Sequence, residues 1–247
     1  MFGMGYLGYL IFAAPVFILS LLAQARVKST YKKYSQIRNS RNITGAQAAQ
    51  AILKHYGVTD VRIEPCAGSL TDNYNPSEKV IHLSEGVYNS TSVAAVGIAC
   101  HEAGHAAQHA ENYAPNNIRT ALVPVTNFGS RFGLYIAFAG YFLAYASYAL
   151  SSIGFYIIIA GLALYGLTAL FQFITLPVEF NASRRALRVI EDTGLLAGDE
   201  YSGAKKVLTA AAMTYVAALA SALVNVLYYA LRLLGSSSSN SRSGRRR

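Results

Sequence analysis

The stretch from Ser92 to Glu111 reads SVAAVGIACHEAGHAAQHAE, and it decides how the middle of this chain folds. It is rich in alanine and contains no proline, which favours an α-helix. Three candidate N-cap residues precede it, Asn89, Ser90 and Thr91. Apolar residues surround His101 on nearly every side, so we predict that this helix lies inside the protein and not on its surface.

Two imidazoles lie four residues apart in His101-Glu102-Ala103-Gly104-His105, with a carboxylate beside the first. This is the HExxH pattern of zinc sites. On a helix, positions i and i+4 differ by about 40° in azimuth and about 6 Å in rise, so both imidazoles can reach one ion. The pattern predicts that His101 and His105 bind Zn²⁺. Glu102 would flank the ion and act as general base towards water that the metal activates.

A catalytic zinc ion usually has three protein ligands and one open position, so a third ligand must come from elsewhere in the chain. His109 lies about 12 Å along the helix axis from His101, which is too far. Glu179 follows the end of a long apolar stretch, where a carboxylate is usually functional or paired with a base. We expect Glu179 to be the third ligand, and a salt bridge to Arg184 or Arg185 is the alternative.

The composition is that of a membrane protein. Of 247 residues, 53% are hydrophobic and 13% are charged, whereas soluble domains usually carry about 25% charged residues. Residues 1–25 carry no charge, and a bilayer crossing takes about 20 residues. Charge-free residues 132–178 fit a hairpin of two crossings that turns near residues 146–154, and a further apolar segment covers 207–234. The sequence therefore predicts about four transmembrane helices.

Basic residues predict the orientation in the membrane. Residues 26–42 follow the first span and contain basic but no acidic side chains. Because basic loops stay in the cytoplasm, we expect residues 43–131 and 179–206 on that side of a multi-pass protein. The C-terminal arginines fit the rule less well if 207–234 crosses fully. The serine-rich tail, residues 235–247, is predicted to be disordered.

The segment before the HExxH stretch predicts a small α+β region. Thr44 to His55 has the pattern of an amphipathic helix, whereas Gly57 to Glu64 and Lys79 to Ser84 alternate as strands do. The turn-rich residues 72–76 separate these strands. A sheet beside the helix would offer an edge strand to an extended peptide, or it would merely cover the helix.

The net charge of +9 does not indicate a nucleic-acid partner. The basic residues lie beside a predicted span, where they orient the protein and attract anionic membrane lipids. The two cysteines, Cys66 and Cys100, form no CxxC metal motif. Cys100 adjoins His101 but points about 100° away on the helix, so we interpret it as a core residue.

Several stretches resemble the YugP-like neutral zinc metallopeptidases, a family of membrane-embedded enzymes, over nearly the whole chain. They are GSLTDNYNPSEKVIHLSEGVY (68–88), HEAGHAAQHA (101–110), VPVTNFGS (123–130), TLPVEFNASRRAL (175–187) and GAKKVLTAAAMTYVAAL (203–219). The resemblance implies a zinc-dependent endopeptidase of gluzincin character. It implies His101 and His105 as ligands, Glu102 as catalytic base and Glu179 as third ligand.

The fold that we expect is a mainly α membrane protein with a small α+β zincin-like domain between its first two spans. The expected function is hydrolysis of peptide bonds in proteins, including membrane proteins, at the cytoplasmic membrane face. A catalytically inactive, zinc-bound scaffold is the alternative, and a fourth ligand such as Asp72 or Asp192 would favour it. A channel is disfavoured because the spans lack charge. Candidate oxyanion donors are Arg184, Arg185, Tyr113 and Tyr201.

Overall fold

The computed structural model describes residues 6–243 and is mainly helical there. The four longest helices are α1 Tyr6–Tyr34, α5 Ala114–Ala146, α6 Ser151–Asp192 and α7 Gly198–Ser243. The shorter elements are α2 Gly45–His55, β1 Arg62–Cys66, β2 Asn73–Asn75, β3 Val80–Ser84, α3 Glu85–Tyr88 and α4 Val93–Ala110. The small sheet in a helical protein agrees with the expected fold class.

The chain forms two compact units. The sheet unit consists of Leu22–Ile118 and Thr175–Tyr215 and contains all three strands with α2, α3 and α4. The apolar unit consists of the described parts of Met1–Leu21, Arg119–Ile174 and Val216–Arg247. All the residues predicted for the metal site belong to the sheet unit.

In the apolar unit, glycines let α5 and α6 pack closely. A Cβ atom on Gly129 would lie 2.3 Å from the Leu164 carbonyl oxygen, and one on Gly161 would lie 2.4 Å from the Ala137 nitrogen. The two helices run antiparallel, and a 3₁₀ turn at Tyr148–Leu150 joins them. The turn expected near residues 146–154 is therefore confirmed.

Three helices of the described chain are long and apolar enough to cross a membrane, at Gly8–Tyr34, Tyr148–Asp192 and Gly198–Leu231. The expected fourth, the first half of the hairpin, is not among them. It corresponds to α5, which carries Arg119 and Arg131 and has only a short charge-free end after them.

Two segment boundaries differ from the prediction because helices continue past them. Helix α1 runs through the basic segment to Tyr34, although the first span was predicted to end at residue 25. Helix α7 runs to Ser243, into the residues 235–247 that were predicted to be disordered, and residues 244–247 lie outside the described part. Extending a helix costs less than starting one, which explains both continuations.

The sheet has the strand order β1-β3-β2. Strands β1 and β3 pair in parallel, and β2 pairs antiparallel to β3. The strand predicted at Gly57 to Glu64 begins only at Arg62, because Gly57 adopts a positive φ of 67° at the end of α2. The turn-rich residues 72–76 contain strand β2 itself. Its sequence, Asn-Tyr-Asn, disfavours a strand, and the pairing with β3 overrides that preference.

The sheet unit has one buried core, into which α4 packs. Helix α2 begins with a capping box between Thr44 and Gln47, and its predicted amphipathic pattern is confirmed. Helix α4 is capped by Ser92, whose side chain accepts a hydrogen bond from the Ala95 N–H, and not by the three predicted residues before it. Cys100 is buried, as predicted, and burial raises the pKa of its thiol.

Candidate metal centre

Helices α4 and α6 form the site where they meet at Gly104, inside the HExxH pentapeptide. A Cβ atom on Gly104 would lie 2.7 Å from the backbone oxygen of Ala182. Only glycine permits this approach of the two backbones. Since Ala182 follows Glu179 by less than one turn, the contact sets the Glu179 carboxylate opposite the two imidazoles.

The structure brings His101, His105 and Glu179 together. Their candidate ligand atoms all lie within 4.8 Å of one another. Glu179 Oε2 lies 3.3 Å from His101 Nε2 and 3.5 Å from His105 Nε2. The Glu179 carboxylate is buried, with 2% of the residue exposed. The predicted set of three residues therefore forms one cluster, and among the described residues the cluster includes no fourth histidine, cysteine or carboxylate.

Gln108 fixes the tautomer of His105. The Gln108 Nε2 group donates to the Val178 carbonyl oxygen at 2.8 Å and to Asn181 Oδ1 at 2.9 Å. Its Oε1 atom therefore faces His105 Nδ1, at 3.0 Å. Because an amide oxygen only accepts, Nδ1 carries the hydrogen and Nε2 of His105 keeps its lone pair.

Ser183 is the hydrogen-bond partner of the other imidazole, that of His101. Its Oγ lies 3.0 Å from His101 Nδ1. Ser183 follows Glu179 by one helical turn, so a single face of α6 supplies both the carboxylate and the hydroxyl. An Nδ1–H group that donates to Ser183 leaves Nε2 of His101 towards Glu179. Hydrogen bonds of this kind orient metal-binding histidines in proteins.

These contacts fit a cation between the three side chains. A lone pair on His105 Nε2 and a carboxylate oxygen repel each other at 3.5 Å unless a proton or a cation lies between them. A buried carboxylate also requires compensation for its charge. Two imidazole nitrogens and one carboxylate oxygen are the ligands of thermolysin-type catalytic zinc sites. The residues present therefore fit Zn²⁺.

Glu102 lies beside the cluster in the same cavity, which has a volume of about 220 Å³. The pKa of the Glu102 carboxyl is raised to about 7, mainly by burial and further by the nearby carboxylates Glu179 and Asp72, while His101 partly offsets the rise. A cation in the cluster would lower this pKa again. The cavity is also lined by Val27, Tyr31, Leu70, Ile98, Ser183, Val207, Leu208, Ala211, Ala212 and Tyr215.

Other residues named from the sequence have structural contacts. Arg185, an alternative partner for Glu179, instead pairs with Glu111 at 2.7 Å and donates to Asn181 Oδ1 at 2.8 Å. His109 Nδ1 lies 2.9 Å from the Tyr74 hydroxyl, so it connects α4 to β2, consistent with a structural residue.

None of the four candidate oxyanion donors lines the Glu102 cavity. Arg185 stacks over the rings of Tyr56 and Tyr113. Arg184 and Tyr201 line a different cavity. The tyrosines that do line the Glu102 cavity are Tyr31 and Tyr215, and nothing in the sequence pattern links them to the motif.

Asp72 lines the Glu102 cavity without joining the ligand cluster. Its Oδ1 accepts hydrogen bonds from the Ser84 N–H at 2.7 Å and from the Ser84 hydroxyl at 3.0 Å. Asp72 thus holds the loop before β2 against the end of β3. Asp192, the other fourth-ligand candidate, ends α6 and is not in the cluster either.

Comparison with known proteins agrees with this geometry. A family model described as "Putative neutral zinc metallopeptidase" matches residues 9–234. The chain belongs to this family. The protein described as "Putative membrane protease YugP" from Bacillus subtilis (strain 168) is 41% identical over 222 residues, which cover 90% of this chain and 95% of that protein. No solved structure matches the chain.

The resemblance noted in the sequence is therefore confirmed. The chain is a member of a zinc metalloprotease family, and thus of the hydrolases, and it is a membrane protein. Sequence reasoning missed two residues of the site. These are Gln108 and Ser183, neither of which belongs to the HExxH pattern. Helical spacing could have found both, because Gln108 lies three residues after His105 and Ser183 lies four after Glu179.

Proposed function

We propose that this protein is a membrane-embedded zinc endopeptidase in which His101, His105 and Glu179 hold Zn²⁺ and Glu102 is the catalytic base. The observation that carries the proposal is the cluster itself, in which both imidazoles direct Nε2 to the Glu179 carboxylate and have a hydrogen-bond partner at Nδ1. Three ligands, rather than four, leave a position open for chemistry, which argues against the inactive scaffold.

Zinc, when bound, polarises the scissile carbonyl group and makes water acidic enough to lose a proton near neutral pH. Glu102 accepts that proton at its carboxylate and delivers it to the nitrogen of the leaving amine. Ser183 and Gln108 hold the imidazole rings during these steps through their bonds to the Nδ1 atoms.

The edge of the sheet beside α4 supports an extended peptide as the substrate. Strand β2 is an edge of the sheet, and Tyr74 on it contacts His109 on α4. A substrate segment that adds to an edge strand is held mainly by main-chain hydrogen bonds, which favour unfolded segments over particular sequences. We propose that the substrates are peptides and unfolded parts of membrane proteins. The protein would be surrounded by membrane lipids and would not bind nucleic acid.

For the membrane we propose a multi-pass protein with the catalytic domain in the cytoplasm. Residues 1–25, the hairpin 132–178 and residues 207–234 would supply four crossings, with the zincin-like domain 43–131 between the first two and residues 179–206 supplying the third ligand. The basic residues 26–42 support this orientation. Arg131, the last charged residue before the hairpin, would then lie at the cytoplasmic boundary.

The test is the Glu102→Gln variant of the full-length protein. We expect its hydrolysis of casein to fall by about 10²- to 10⁴-fold, as is typical of losing a general base, while its zinc content matches that of the parent. Glu85→Gln, at the exposed start of α3, is the control and should keep full activity. Casein hydrolysis by Glu102→Gln at the parental rate, at equal zinc content, would end the peptidase assignment.

A further inference from the structure

A second cavity, of about 340 Å³, adjoins the metal centre within the sheet unit. It lies between the last part of α6 and the first part of α7. It shares three lining residues with the Glu102 cavity, namely Ser183, Leu208 and Ala212. Ser183 is also the residue that bonds to His101. Only these shared residues therefore separate a peptide at the metal centre from the second cavity.

The second cavity carries excess positive charge. Arg184, Arg188 and Lys205 line it, against a single carboxylate, Glu191. Among the side chains that the structure describes, no carboxylate forms an ion pair with any of the three cations. Glu191 accepts a hydrogen bond of 3.5 Å from the Tyr201 hydroxyl. The three cations are thus able to bind an anionic group of a ligand that enters the cavity.

The rest of the wall is apolar. Phe180 and Leu187 from α6 and Leu208 and Ala212 from α7 line the same cavity. Arg184 and Arg188 lie one helical turn apart, so both project from one face of α6, and Lys205 faces them from α7. A ligand with a short apolar stem and a carboxylate tip matches this lining.

We propose that this basic cavity is a substrate subsite that takes an acidic side chain, Asp or Glu, of the peptide whose scissile bond lies at the metal centre. The proposal rests on the peptidase function proposed above. We favour a subsite for the peptide substrate over an independent anion-binding site because the cavity borders the metal centre through Ser183. At one position of the substrate, we expect peptides with Glu to be cleaved with a higher kcat/KM than peptides with Gln, and those with Gln with a higher kcat/KM than those with Lys.

The experiment uses the purified, zinc-loaded, full-length protein and a peptide series. Each peptide is acetylated and amidated, so that its termini carry no charge, and places Glu, Gln or Lys at one position of an otherwise neutral sequence. We expect one position at which kcat/KM for Glu exceeds that for Gln by about 10-fold, a ratio within reach of a few partly exposed charge pairs. High salt should reduce the ratio.

Charge reversal in the basic cavity should invert this selectivity. We expect Arg188→Glu and Lys205→Glu to abolish the preference for Glu and to favour the Lys peptide. Lys206→Glu is the matched control, since Lys206 is also exposed, adjoins Lys205 and does not line the cavity. It should keep the parental ratio. Arg188→Gln and Lys205→Gln remove a positive charge without adding a negative one, so they should reduce the ratio without inverting it.

Two results would overturn the subsite. Parental protein that cleaves the peptides at rates independent of charge at every position would remove the subsite and leave the peptidase intact. Cavity variants that keep the Glu to Gln ratio but lose co-purified phosphatidylglycerol, measured by mass spectrometry, would assign the cavity to a lipid headgroup. Parental protein that cleaves neither casein nor any peptide would instead remove the proposed function, and the subsite with it.

Discussion

Single hydrogen bonds determine what the two histidines of the motif can do. The amide of Gln108 has its two donors engaged by carbonyl oxygens, so its oxygen must accept from His105. This chain of bonds continues from Asn181 to Arg185 and Glu111. The free lone pair on His105 Nε2 is thus a consequence of residues outside the cluster of His101, His105 and Glu179.

Glu179→Ala should lose zinc. The substitution removes one of three ligands and leaves two imidazoles from a single helix, which cannot hold a catalytic ion alone. We expect the zinc affinity to fall by more than the roughly 10- to 100-fold that outer-shell substitutions cost. The measurement is the zinc to protein ratio after dialysis, with Glu191→Ala at the exposed end of α6 as control. Full zinc retention by Glu179→Ala would exclude it as a ligand.

Gln108→Ala should weaken zinc binding without removing a ligand. The His105 Nδ1–H group would lose its acceptor, and the imidazole could rotate or change tautomer. We expect the zinc affinity, measured by competition with a chelator, to fall by about 10- to 100-fold. Gln50→Ala, on the exposed face of α2, should leave it unchanged. An unchanged affinity in Gln108→Ala would show that the tautomer is set in another way.

Among the elements, the crossing of α4 over α6 matters most for the site. Neither helix has unusual composition at the contact, yet Gly104 lets the backbone of α6 approach within reach of the motif. Pro177, inside α6, precedes Glu179 by two residues. A proline inside a helix removes one backbone hydrogen bond and bends the helix, which changes the direction in which the following turn presents its side chains.

Gly104→Ala should therefore harm both stability and zinc binding. Alanine normally stabilises a helix relative to glycine by up to about 1 kcal/mol. Here the new methyl group meets the rigid backbone at Ala182, so we expect a destabilisation of about 1 to 3 kcal/mol and reduced zinc content. Thermal unfolding and metal analysis measure these effects. Gly166→Ala is the matched control, because a Cβ there meets nothing within 4 Å and should not destabilise.

For the whole molecule, the two cysteines provide a test of the proposed cytoplasmic orientation. Cys100 is buried, and burial raises the pKa of its thiol, so it should react slowly. Cys66 is partly exposed on the sheet unit. A membrane-impermeant maleimide should label Cys66 only after the cells are permeabilised, and Cys66→Ser should abolish the labelling. Labelling of Cys66 in intact cells would place the sheet unit outside.

The sequence predicted much of the helical structure from local physics. The capped, amphipathic pattern of α2, the proline-free α4 and the glycine- and serine-rich turn between α5 and α6 are all set by residues close together in the chain. Strand β2 was missed because its residues prefer turns, and only pairing with β3 makes it a strand. The first half of the hairpin was predicted from the charge-free residues that follow Arg131, but α5 ends at Ala146, before these residues reach the length of a full span.

By itself, the sequence determined the chemistry available to this protein: an HExxH helix, an apolar chain and one carboxylate at the end of an apolar stretch. Local composition is sufficient for these because helix formation and membrane affinity depend on neighbouring residues. The tertiary structure decided which residues meet. The approach of α6 to α4 at Gly104, the orientation of the Gln108 amide, the bond between Ser183 and His101 and the basic cavity beside them all depend on contacts between residues that are far apart in the chain.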